Sequence, residues 1–264
     1  MKMRQVTAIS LMVLVFGLLV PARSESAPLF GSGISAFQTF VGNPNNGNSP
    51  GTVGGRREIN WDGGGGVSTT ATAGTPFTGF LNTRGARFTT PGTGFVQATP
   101  DGMATQFANP GYATAFDVFS PLRLFSPIGS NITDVTFFVP GTNGASAAAV
   151  TAFGAVFSGL NLGGLTSLQF FDLSGSSLGV FLVGLPSGGN LSFLGVQFDA
   201  GELIGRVRIT TGNITPGGSD SATNDAVMMD DLIFSEPVPV PEPATLTLLA
   251  IGLAGTRAIR RRRV

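Results

Sequence analysis

Carboxylates are the chemistry-bearing groups of this chain. It contains no His and no Cys, and its single Lys is Lys2. Ser-His-Asp and Cys-His nucleophilic catalysis and zinc sites of the His/Cys type are therefore excluded, and beyond Lys2 so are lysine Schiff bases. Two kinds of carboxylate chemistry remain. A glycosidase places two carboxyl groups about 5 Å apart when retaining and about 6.5–9.5 Å apart when inverting. A calcium ion takes oxygen ligands from Asp, Asn and carbonyl groups. Glu58, Glu202 and Glu236 are the glutamates of residues 27–236, and Glu236 stands at the approach to the C-terminal tail. That leaves Glu58 with an Asp partner as the one acid–base pair to consider. The inventory favours a non-enzymatic protein.

The most informative constellation is Val227-Met-Met-Asp-Asp-Leu-Ile-Phe234, where two aspartates interrupt an apolar strand. Successive strand residues face opposite sides, so one of Asp230 and Asp231 points where apolar neighbours point. A carboxylate there is costly unless paired or metal-bound. Arg206 and Arg208, on the preceding strand, offer an ion pair. Asp225, with Asn224 beside it, offers instead a calcium site shared with Asp230 and Asp231. Asp230 is expected to be the inward residue, because it shares its face with Phe234, and Asp231 to be nearly dispensable. A second cluster is Arg56, Arg57, Glu58 and Asp62 around Trp61, the one tryptophan. It reads as a local ion-pair network bordering a strand, with Trp61 and Asp62 as candidate ligand contacts.

The elements that position these groups read as short strands separated by Gly and Pro punctuation. The candidates are 86–89, 94–98, 115–119, 123–125, 133–139, 149–157, 167–172, 178–183, 191–198, 204–211 and 227–234. Alternation is clearest in Asp134-Val-Thr-Phe-Phe-Val139 and Gly205-Arg-Val-Arg-Ile209. Asp172-Leu-Ser-Gly175 reads as a hairpin turn. Residues 145–156 have some helical period, but Gly154, Val150 and Thr151 argue for a strand. Gly63-Gly-Gly-Gly66 lacks the Gly-Lys-Ser/Thr of a phosphate loop and reads as a surface loop. The expected fold is all-β, a jelly-roll-like β-sandwich.

Composition agrees. Phe accounts for 22 residues and Trp and Tyr for one each, and Phe fills a sheet core without any polar obligation. Residues 28–236 carry seven Arg and no Lys against ten Asp and three Glu, a net charge of −6. That is unfavourable for nucleic acid, whose phosphates select basic surfaces. Without Cys, stability must come from the core alone.

Both ends carry targeting signals. Lys2 and Arg4 precede an apolar run from Val6 to Val20, so residues 1–26 read as a secretory signal peptide, with cleavage sites after Ala22 or Ser26. Residues 27–236 form the exported domain. Residues 237–264 hold three parts in order: Val238-Pro-Val-Pro-Glu-Pro243, the apolar run Ala244–Gly255, and a tail with Arg257, Arg260, Arg261, Arg262 and Arg263. Proline fixes φ and removes donors, so the first part is expected to be extended and unpaired. The apolar run is short of the roughly 20 residues of a full span, and the arginines fit a cytoplasmic end. This arrangement closely resembles the PEP-CTERM sorting signal of Gram-negative bacteria, with Pro241, Glu242 and Pro243 as the motif. The resemblance implies recognition by an exosortase, transient anchoring by a short transmembrane helix, and release to the cell surface or extracellular matrix. Gly-Arg-Arg-Glu-Ile-Asn-Trp-Asp-Gly, Arg-Leu-Phe-Ser-Pro-Ile-Gly-Ser-Asn and Met-Asp-Asp-Leu-Ile-Phe also resemble landmarks of a family of secreted bacterial β-proteins with no established activity. The expected function is a structural or interaction component of the extracellular polysaccharide or biofilm matrix. The alternative is a carbohydrate-binding module, with or without calcium and with no other cofactor, for which Trp61 and Tyr112 are the available stacking platforms.

Overall fold

The computed structural model describes residues 29–30, 33–63 and 67–240. The signal peptide, the Pro241-Glu-Pro243 motif, the apolar run and the five tail arginines lie outside the described residues. Among those described, no helix is long and apolar enough to cross a membrane.

In chain order the elements are β1 (Leu29–Phe30), α1 (Ile34–Val41), β2 (Arg56–Ile59), β3 (Ala71–Gly74), α2 (Leu81–Arg84), β4 (Ala86–Thr89), β5 (Gly94–Ala98), α3 (Pro100–Gln106) and α4 (Tyr112–Ala115). There follow β6 (Leu124–Ile128), β7 (Ile132–Phe137), β8 (Ala148–Ala149), β9 (Ala152–Ser158), β10 (Ser167–Phe171), β11 (Ser177–Leu182), β12 (Leu191–Gln197), β13 (Arg206–Thr210), β14 (Met228–Ser235) and β15 (Val238–Pro239). One sheet runs β1-β12-β9-β14-β6-β5-β3, with β2 also on β14, and a second runs β11-β10-β13-β7-β4. Every strand pair is antiparallel.

The two sheets share one core. Phe88, Val135, Phe137, Phe170 and Val207 of the second sheet meet Phe125, Phe153, Leu194, Leu232 and Phe234 of the first. Aromatic rings bridge the layers, Phe137 standing 5.4 Å from Phe234 and Phe88 5.5 Å from Phe125. In the second sheet β7 and β13 alternate buried and half-buried positions, as one covered face requires. Strand β9 is buried at all seven positions, because α1 and flanking segments cover its other side.

Helices α3 and α4 pack Met103, Tyr112 and neighbouring Phe116 onto Val96, Leu124 and Met228, on the outer face of the first sheet. Thr99 caps α3 by accepting from the Gly102 N–H at 3.1 Å, with Pro100 in the first turn. Helix α1 inserts Phe37 against Ala152 and Ile233. The ring fits because its floor is a glycine pair, Gly154 opposite Gly195 across β9 and β12. A Cβ on Gly195 would lie 2.6 Å from the Phe37 ring, and one on Gly154 2.8 Å from it.

Most expected strands stand within a few residues of their sequence positions, 86–89 and 94–98 unchanged as β4 and β5. The Asp172 turn joins β10 to β11: Asp172 Oδ1 accepts from the Ser174 and Ser176 N–H groups, and Gly175 has φ 84°. Residues 115–119 are not a strand; they leave α4 as an irregular segment that serves the site described below. The proline-rich approach is extended but not unpaired. Val238 and Pro239 pair with Ala149 and Ala148, and the Val240 N–H donates to Ala147 O at 3.1 Å. The folded body thus continues past residue 236 to Val240.

Gly195→Ala is expected to cost about 1–3 kcal/mol, the usual penalty of overpacking, by pushing Phe37 out of its seat. Chemical denaturation reads the loss, and Phe37→Leu in the same chain should restore part of it.

Candidate functional site

The site begins at an irregularity in β14. On one side this strand follows β9 throughout, but its register shifts between Met229 and Leu232. On the other side it pairs with β6 through Met229 opposite Phe125, and with β2 from Leu232 opposite Ile59 to Ser235 opposite Arg56. The sheet forks here, and an extra residue in β14 absorbs the fork. Val227 and Met229 face the common core before the bulge, and Leu232 and Phe234 after it. Strict alternation does not survive this step. Both aspartates are thereby released from the core-facing side, and Asp231, expected to face away from any partner, accepts from Ser120 Oγ at 2.6 Å.

Trp61 closes the gap between β2 and β6. Its ring stacks on Phe125 at 3.8 Å, with Phe80 and Phe88 edge-on at 5.4 and 5.5 Å. Its Nε1–H donates to Asp230 O at 2.6 Å, a bond of the kind the interrupted ladder no longer supplies. Trp61 is fully buried, and Tyr112 is 2 % exposed with its hydroxyl donating to Gly218 O at 2.7 Å. Neither is a platform for a sugar ring, which corrects the expectation for Trp61 as a ligand contact. The indole is needed inside, to seal the fork.

The carboxylates gather on one hydroxyl. Ser120 Oγ lies 2.6 Å from Asp231 Oδ1, 3.0 Å from Asp62 Oδ2 and 3.3 Å from Asp230 Oδ1. Asp230 Oδ2 accepts from the Phe119 N–H at 2.6 Å, and Asp62 Oδ1 from the Arg123 N–H at 2.8 Å. Strands β14 and the segment after β2 thus grip the chain from Phe119 to Arg123. Ser120 has one proton for three acceptors, which favours a proton retained between Asp230 and Asp231. Burial, above all, pushes Asp230 up to about 8, with the neighbouring Asp231 charge adding to it against the Phe119 hydrogen bond. Burial also raises Asp231, opposed by the bond from Ser120, with Asp62 and Glu58 adding like charge. This geometry can store a shared proton and pin a loop. Its acids are turned inward onto backbone N–H groups and one hydroxyl.

Asp225 is not part of it. This buried carboxylate accepts from the N–H groups of Asn161 and Leu162, at 3.1 Å each, and burial raises its pKa. The calcium set Asp225, Asp230 and Asp231 is therefore not brought together, since Asp225 holds the 161–162 turn. Among the described residues no group of three or more acidic side chains is disposed to hold a metal ion. The expected partners also differ. Arg206 and Arg208 bind Asp134 across β13 and β7, at 2.9 and 2.8 Å, on the second sheet rather than on the sheet of β14.

The arginine cluster also resolves differently from its sequence neighbourhood. Arg56 pairs locally with Glu58 at 2.6 Å, and Gln38 donates to the same oxygen. Arg57 instead reaches Glu236, with Nε and Nη2 each 2.7 Å from a carboxylate oxygen. Its remaining donors meet Gly47 O, Thr83 O, Ser49 O and Thr52 Oγ1. Asn46 adds a bond of 2.8 Å to Glu236. The pair is buried, and its forked geometry leaves no guanidinium donor idle. Nothing local in the sequence marked it, since its partners stand 179 residues apart.

Two outcomes follow from these arrangements. In the folded state Asp230 holds a proton that the unfolded chain, with a carboxyl pKa of about 4, has released, so its contribution is fully present below about pH 4 and is lost as pH rises through about 8. The slope is at most about 1.4 kcal/mol per pH unit for one retained proton. Denaturation curves between pH 5 and 9 should show stability falling with pH, and Asp230→Asn should flatten the fall. A slope unchanged in that variant would refute the shared proton. Separately, Arg57→Met strands Glu236 as a buried charge and is expected to cost about 3–5 kcal/mol, measured by the same method.

The remaining information lies past Val240. The model of the PEP-CTERM protein-sorting motif matches residues 239–263, which include Pro241, Glu242, Pro243 and the five tail arginines. No curated protein and no solved structure matches the chain. The chain thus carries, from its last strand onward, the PEP-CTERM protein-sorting motif, the recognition signal of an exosortase.

Proposed function

We propose that residues 27–240 form a non-enzymatic structural or interaction component of the cell surface or extracellular polysaccharide matrix. The observation that carries this role is the sorting motif at 239–263, joined without a linker to a β-domain. A signal peptide at residues 1–26 would start export, and a short transmembrane helix within 244–255 would hold the precursor until processing. The domain itself is a jelly-roll-like sandwich whose acids serve its own structure. Glu58 and Glu236 neutralise Arg56 and Arg57, and Asp62, Asp225 and Asp230 cap backbone N–H groups. A glycosidase would instead need two carboxyls free to face a sugar. With Trp61 and Tyr112 enclosed, carbohydrate binding by aromatic stacking on those two rings has no support. The domain's surface is the part left to meet neighbours in the matrix.

In exosortase-positive cells the surface or released fraction should contain protein lacking residues beyond about Pro243, read by intact mass. Cells without the exosortase should retain the full C-terminus in the membrane. A full-length C-terminus in the positive strain would overturn the proposal.

A further inference from the structure

The last described residues form two fastenings of unequal strength. Strand β15 is two residues long with both positions exposed, and Pro239 has no N–H to donate. Its hold on β8 consists of the pairing at Val238 and Pro239 and the bond from Val240 N–H to Ala147 O at 3.1 Å. Just before it, Glu236 is locked by two bonds from Arg57 and one from Asn46, and its N–H donates to Gly55 O at 3.1 Å. A pull on the C-terminus therefore opens β15 first and stops at Glu236, because exposed, short pairings open at far lower free energy than buried networks.

This order matters because of where the sorting motif starts. Pro241 directly follows Val240, and the apolar run starts at Ala244. Four residues fully extended span at most about 14 Å, so with β15 fastened the body of the domain is held that close to the membrane boundary. Releasing residues 237–240 adds four more residues and about doubles the reach. An enzyme that binds peptide in extended form needs the backbone groups on both sides of its target, and with β15 fastened those of residues 238–240 are engaged with β8.

We propose that β15 is a release clasp: the exosortase gains access to the Pro-Glu-Pro segment by unzipping Val238–Val240 from β8, while the Arg57–Glu236 lock keeps the domain folded as this happens. The inference rests on the sorting role proposed above and adds a requirement to it. The clasp sets the rate at which the tail is presented, and the lock sets how much chain is surrendered.

The test uses the full-length chain in its exosortase-positive host, with processing followed by pulse-chase. Ala149→Cys together with Val238→Cys places a thiol on each register partner of the clasp in a chain otherwise free of Cys. Oxidised, this variant should be processed at least tenfold more slowly than wild type, and reductant should restore the wild-type rate, which also shows that it folds. Inserting eight Gly/Ser residues between Val240 and Pro241 should make processing of the oxidised variant as fast as that of wild type, because the motif then reaches the enzyme with the clasp closed. Wild-type rates in the oxidised variant without the insertion would overturn the clasp. If wild type itself is never processed, the sorting role fails, and the clasp with it.

Discussion

The constraint on which the rest of the structure depends is that β14 has to serve two different neighbours on one edge. Up to Met229 it pairs with β6, and from Leu232 with β2. Backbone groups at such a fork lose their ladder partners, and buried ones must be satisfied in another way. The one tryptophan answers for Asp230 O, and the Asp230 carboxylate reaches out to Phe119 N–H. Residues 119–123 are held on their path by bonds to Asp62, Asp230 and Asp231. A break in one strand is thereby converted into the anchor of a long connection that crosses the outer face of the sheet.

The same economy governs the other charges. Among the described residues, Arg56, Arg57, Arg206 and Arg208 are each paired with a carboxylate, internally or on one sheet face. Arg206 and Arg208 straddle Asp134, and the Arg206 guanidinium also lies 3.6 Å from the centre of the Phe171 ring. Burying a lone carboxylate is costly, whereas hydrogen bonds to the charge or a retained proton offset that cost. Glu236 takes the first solution and Asp230 the second. Removing a partner from the first exposes the full penalty of a stranded charge.

What was legible in the sequence was what depends on local periodicity and composition. Strand β7 and strand β13 alternate because one face is covered, and the Asp172 turn is written in its own four residues. Asp230 as the buried aspartate was also legible, though for the wrong reason: a bulge that the two-residue period could not anticipate puts Phe234 on the core-facing side, which Asp230 does not share. The arginine partners were misassigned because sequence order does not tell which sheet a strand joins, and β13 belongs to the sheet opposite β14. Helix α3 carried a readable signal in Thr99-Pro-Asp101, a cap followed by proline and an acid in the first turn. Strand β2 hid behind its charges, since Arg57 reads as a surface residue until Glu236 arrives from the far end of the domain.

That long-range pairing bears on how the folded domain and the sorting motif are joined. Glu236 comes late in the chain, yet it completes a network whose other members lie between Asn46 and Thr83. The network cannot close until the whole domain has been made and has folded back on itself. Since β15 can rest on β8 only once the chain has turned past Glu236, the approach to the sorting motif takes its described conformation only in a finished domain. In a domain that has not folded, residues 238 and 239 have no β8 to pair with. Folding of the domain and the conformation of the residues that lead into the sorting motif are therefore coupled, and the buried Arg57–Glu236 pair stands at the joint.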